Sequence, residues 1–162
     1  MGHDPIRSLQ HLPLPSPYLD GCGLVPLTGQ SAHKRATAAA CANDEGWAQA
    51  LAVDVLGAKI AAETVIPALR DNRDSLLFTG GGLAFAPSPE VASLSVGKAA
   101  IRAYTQALHA HLKGRPIHAA TVTIAGNIDG GDERFAADVL ANAYLDLHQQ
   151  PESDWEAELV RD

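Results

Sequence analysis

The chain has 162 residues, 46% of them hydrophobic and only 5% aromatic. That suits one domain with a core of Ala, Leu and Val, and it excludes both two full domains and a disordered chain. Twelve Lys and Arg against 19 Asp and Glu give a formal charge of −7, which excludes the basic footprint that nucleic acid or an anionic membrane surface requires.

Residues 1–42 carry Pro5, Pro13, Pro15, Pro17 and Pro26 among glycines and isolated leucines. This composition sustains neither helix periodicity nor a central strand, so an irregular arm is predicted. Gly21 to Pro26, GCGLVP, begins like a dinucleotide-binding GxGxxG, but Pro26 stands in the last glycine's place and no strand precedes it. No apolar signal-peptide core follows Met1, and no stretch approaches a membrane span of about 18 apolar residues. A cytoplasmic protein is expected, with Cys22 and Cys41 as thiols rather than a disulfide.

From Asn43, a candidate N-cap, apolar residues recur at Trp47, Leu51, Val55, Ala58, Ala62, Val65, Ile66 and Leu69. The spacing predicts a long helix over 44–70, and Val53, Leu56 and Ile60 give it apolar groups on further faces. The run DSLLFTG, 74–80, reads as a buried parallel strand with glycines at its exit. Pro87 and Pro89 introduce a second helix over 89–113, ended by Gly114 and Pro116. IHAATVTIAGN, 117–127, is the next strand, 133–149 repeats apolar residues at helical spacing, and WEAELV closes as a short strand. This alternation is that of an α/β domain with a small parallel sheet, whose ligands sit beyond the carboxyl ends of the strands. The glycine run and Asn127 stand at two such ends.

The stretch FTGGGLAFAPSPEVASLSVGKAA, 78–100, fails as a phosphate loop: Ala92 and Ala99 flank Gly97 and Lys98 where a glycine and a hydroxyl are needed. It also fails as a dinucleotide fingerprint, because Phe85 replaces the third glycine. The seven histidines lack HxxxH or HExxH spacing, and His109 and His111 point to different faces of one helix, so no metal is expected.

Taken in order, WAQALAVDVLGAKIAAETVIPAL, SLLFTGGGLAFAPSPEVASLSVGKAAIRAYTQAL and IHAATVTIAGNI resemble the second half of a short-chain dehydrogenase/reductase, over residues 43–162. The resemblance implies a truncated, Rossmann-like three-layer fold. It also implies a homodimer formed through the two long helices. In that family a Tyr four residues before a helical Lys handles the proton, a Ser thirteen before the Tyr holds the substrate oxygen, and an Asn on the preceding helix organises a water relay. Lys98 matches the Lys, whereas Leu94 holds the Tyr position, Gly81 the Ser position and Asp54 the Asn position. A leucine transfers no proton and a glycine has no hydroxyl, so the usual hydride chemistry lacks its acid-base group. Tyr104, six residues beyond Lys98, lies on another helical face. Residues 1–42 are also too few for the family's nucleotide-binding units.

The expectation is a cofactor-independent protein acting on a hydrophobic small molecule by isomerisation, cyclisation or dehydration. Lys98, Asp54 and Thr79 are its catalytic candidates, and Gly80, Gly81, Gly82, Leu94 and Asn127 its substrate-binding candidates. The Ala-, Arg- and Pro-rich composition resembles that of high-GC bacteria, where divergent members of the family serve natural-product pathways. A non-catalytic relative acting through its dimer surface or a partner is the alternative. An NAD(P)-dependent oxidoreductase is the second alternative.

Overall fold

A computed structural model describes residues 44–69 and 74–162. The Pro-rich arm of residues 1–42, with its two cysteines, and the Asn43 cap lie outside the described residues.

The predicted helix over 44–70 is present but not uniform. It runs as α1 (Asp44–Leu51), a π-helical turn over Ala52–Leu56, and α2 (Gly57–Val65), with hydrogen-bonded turns on to Leu69. Gly57 donates its backbone N–H to the Ala52 carbonyl, five residues back, which is the signature of the wider π turn. Strand β1 spans Asp74–Gly81, one residue beyond the expectation. The predicted helix over 89–113 is a 3-10 turn, Pro89–Val91, followed by α3 (Ala92–His111). Pro89 sits at the first position of that turn, where its missing N–H costs nothing, and the Ser88 side chain accepts from the Glu90 N–H. Strand β2 is Ile117–Ile124, shorter than the predicted 117–127, because Ala125 to Asn127 turn out into solvent. The helical stretch at 133–149 divides into a 3-10 turn, Glu133–Phe135, and α4 (Ala137–Gln149), parted by the extended Ala136. Strand β3 is Glu158–Arg161.

The sheet has the order β1-β2-β3, with both pairings parallel. Asp74 pairs with Ile117 and Gly81 with Ile124, while Thr121 pairs with Glu158. Every residue of β2 is buried, as expected of a central strand covered on both faces. Its side chains divide by parity. Ala120, Val122 and Ile124 pack against Phe135, Leu140 and Leu147 on the α4 side. Ile117 and Ala119 join Ala62, Leu108 and Leu112 on the α2 and α3 side. The described residues therefore form three layers, helix, sheet and helix, as the sequence predicts. Two apolar residues at helical spacing nonetheless lie outside this core, Val65 at the end of α2 and Val139 on α4, at 37% and 42% exposed.

Two polar clusters fasten β3. Glu158 accepts two hydrogen bonds of 2.8 Å from the Arg102 Nε, one to each carboxylate oxygen, and one of 2.6 Å from the Thr123 hydroxyl. It thereby ties α3 to the two strands. From β2, the buried His118 ring reaches the stretch before β3, with Nδ1 3.1 Å from the Leu147 carbonyl oxygen and Nε2 2.9 Å from that of Glu156, stacked on Trp155 with centroids 5.0 Å apart.

Candidate functional site

The glycine run leaving β1 is built first by packing. A Cβ on Gly80 would stand 2.7 Å from both the Thr121 Cγ2 and the Thr123 Oγ1, so β1 approaches β2's side chains here only because the residue has none. A Cβ on Gly82 would lie 3.0 Å from Ala125. Gly81 differs: a side chain there would meet the Lys98 methylenes at 3.6 Å, an ordinary contact. Of the three glycines, Gly81 is thus the one turned to the lysine.

Lys98 occupies the second turn of α3 and is 7% exposed, while Asp54, in the middle of the π turn, is 5% exposed. Their charged atoms stand 3.8 Å apart, an ion pair rather than a hydrogen bond. The close passage of the two helices depends on Gly97, since a Cβ there would run into the Asp54 carboxylate. Burial pushes the Asp54 carboxyl above its ordinary range, against the pull of the Lys98 ammonium. A π turn swells the backbone by one residue and places Asp54 inward, a distortion frequent at functional sites.

The remaining candidates are distributed as follows. Leu94, one helical turn before Lys98, is half-buried. Thr79 points to the α4 layer, where its hydroxyl shares a 2.6 Å hydrogen bond with the Tyr144 hydroxyl, whereas Lys98 belongs to the α3 layer. Burial raises the Tyr144 phenol, with the Thr79 bond opposing. Asn127 lies in the exposed turn after β2, where its carbonyl accepts from the Gly130 N–H at 3.0 Å. Tyr104 packs edge-to-face on Phe78 with ring centroids 6.2 Å apart, in the apolar layer formed with α2. The structure thus brings Lys98, Asp54 and Gly81 together and sends Thr79 to the other side of the sheet.

Two features of this region escape the sequence. The π turn at Asp54 carries no periodic signal. Arg102, one turn beyond Lys98 on α3, covers the Phe85 ring at 4.7 Å while Glu158 holds it from β3; its i+4 spacing from Lys98 is the signal that was available. Among the described residues, no group of three His, Cys, Asp or Glu is placed to hold a metal, and no helix is long and apolar enough to cross a membrane.

No family model matches the chain, and no curated protein matches it. Solved structures do. A short-chain dehydrogenase/reductase from Vibrio parahaemolyticus aligns over 77% of this chain and 62% of its own, with a TM-score of 0.60 and 13% identity. A short-chain dehydrogenase from Rhodopseudomonas palustris aligns over 73% of this chain and 52% of its own, with a TM-score of 0.56 and 20% identity. A short-chain oxidoreductase from Pseudomonas aeruginosa, containing an atypical catalytic center, aligns over 75% of this chain and 51% of its own, with a TM-score of 0.55 and 16% identity. The chain thus spans between about half and three fifths of the length of these structures. Its three layers and parallel sheet are those of the short-chain dehydrogenase/reductase fold.

Proposed function

We propose that the chain is a non-redox protein of this fold, acting without a nicotinamide cofactor on an uncharged, apolar small molecule at the carboxyl ends of β1 and β2. The observation that carries the reading is the Lys98–Asp54 pair beside Gly81: the cation of the family's site is retained, while the positions of its phenol and hydroxyl hold Leu94 and Gly81. Hydride transfer to or from a carbonyl needs a proton carrier at the oxygen, and leucine is none. An ammonium beside an unusually basic carboxylate suits a redox-neutral proton transfer instead. Asp54 takes a proton from the carbon next to a carbonyl, Lys98 stabilises the oxyanion that forms, and the proton returns at another carbon or expels a leaving group. Isomerisation, cyclisation and dehydration all have this form, and a role in bacterial natural-product biosynthesis is part of the same proposal.

The test is proton exchange. In D2O, the protein is expected to accelerate deuteration of 2-tetralone beside its carbonyl, followed by NMR. Lys98→Met and Asp54→Asn are each expected to abolish the acceleration. Saturable NADPH or NADH binding in a fluorescence titration, with ketone reduction, would overturn the reading.

A second reading is favoured by a separate observation. The outer surface of α3 is a stripe of exposed small and apolar residues, Val96, Ala99, Ala103, Ala107 and Ala110, and α2 exposes Ile60 at 47% and Val65 at 37%. Such a surface is suited to close helix packing against a second copy. We propose a homodimer through these helices, and the protein acts through this surface alone if Lys98 and Asp54 prove inert.

A further inference from the structure

The loop that leaves the glycine run ends in an aromatic side chain held in an unusual way. Phe85 is 50% exposed, the most exposed of the large hydrophobic residues described. Its backbone is fixed, because its N–H donates to the Gly82 carbonyl at 3.0 Å and closes the 3-10 turn Gly82–Ala84. Its ring is backed by the Arg102 guanidinium, 4.7 Å from the centroid. Arg102 is itself clamped by both oxygens of Glu158, whose side chain is only 11% exposed and is held in turn by Thr123. A surface phenylalanine kept in place by a chain of charge-assisted bonds reaching into the sheet is preorganised in a way that core packing does not require.

Resting on the proposed small-molecule reading, we infer that Phe85 is a stacking platform that selects flat, electron-rich ring compounds over saturated ones of the same size. One face of the ring carries the cation. The residue is half exposed, and the cation draws π density away from the ring, which favours an electron-rich partner such as a phenol or naphthol in offset stacking. The platform belongs to the candidate site by its place in the chain. A side chain at Gly81 would meet Lys98, and Phe85 packs against Arg102, one turn further along the same helix.

The experiment compares 2-naphthol with decahydro-2-naphthol, alike in skeleton but for the π system, titrated into isotope-labelled full-length protein and followed by NMR. The expected result is tighter binding of 2-naphthol by about 3- to 10-fold, with shifts centred on Phe85, Gly82 and Arg102. Phe85→Leu should remove that preference while leaving decahydro-2-naphthol binding as it was, and Phe85→Tyr should retain it. Should the leucine variant not fold, loss of the preference in Phe85→Ala, with an unchanged spectrum elsewhere, gives the same answer. Equal affinities in the wild type, shifts centred away from Phe85, or an undiminished preference in the leucine variant would overturn the inference. Stacking on Phe85 with proton exchange unaffected by Lys98→Met would keep the platform and reject the catalytic reading.

Discussion

Gly97 is where two helices touch, and the Asp54 carboxylate fills the space in which its side chain would stand. Gly97→Ala should push Asp54 aside and lower stability by about 1–3 kcal/mol, the usual cost of overpacking, which denaturant unfolding would measure. The buried pair itself should be strongly non-additive. Lys98→Met leaves a carboxylate buried without its counterion, at a cost of about 3–5 kcal/mol, whereas Lys98→Met combined with Asp54→Leu should recover most of the loss. A loss in the double variant equal to the sum of the two single losses would show that the two charges do not depend on each other. The sign of the pH effect follows from burial: the folded state holds the Asp54 proton more tightly than the unfolded chain, so this residue's contribution to stability falls as pH rises from the ordinary Asp range through its raised value. Asp54→Asn should remove that slope.

At the scale of elements, the attachment of β3 to α3 responds to acid in the opposite sense. Burial acts to raise the Glu158 carboxyl, but the hydrogen bonds from Arg102 and Thr123, with the Arg102 charge, outweigh it and hold the group below its ordinary range. The stability it contributes is complete above the unfolded value near 4.5 and is lost as pH falls through the depressed folded value. Glu158→Gln should flatten that part of the acid-unfolding curve and cost about 1–3 kcal/mol at neutral pH, since the partly buried guanidinium loses its counterion. These elements were unequally legible. Both longer strands and the α3 and α4 helices follow from apolar runs and from Pro and Gly at their borders. The π turn at Ala52–Leu56 does not, because its cause is tertiary: α3 comes close at Gly97 and Asp54 turns inward. The end of β2 at Ile124 was overrun because Ala125 and Gly126 extend the apolar pattern after its partner strands have stopped. Of the candidate site, Lys98, Asp54 and Gly81 converge, while Thr79 lies with Leu77 on the α4 face of β1 and bonds Tyr144; alternation alone would put Gly81 on that face too, and its turn to Lys98 comes only at the last residue of the strand.

For the whole molecule, the decisive surface is the Val96 to Ala110 stripe. If two copies pack through it, Ala103→Glu places a pair of like charges in a tight, small-residue seam. Sedimentation is expected to report a dimer for the wild type at micromolar concentration and a monomer for this variant, with the far-UV spectrum unchanged; a wild-type monomer would refute the dimer. The sheet's connectivity has a kinetic consequence as well. Asp74 meets Ile117, and Thr121 meets Glu158, only after an intervening helix has carried the chain back across the layer. No hairpin is available as an early local nucleus among these strands, so the search for register runs over long chain segments. Refolding in milliseconds to seconds, rather than the microseconds of a helical bundle, is the tempo that such wiring sets.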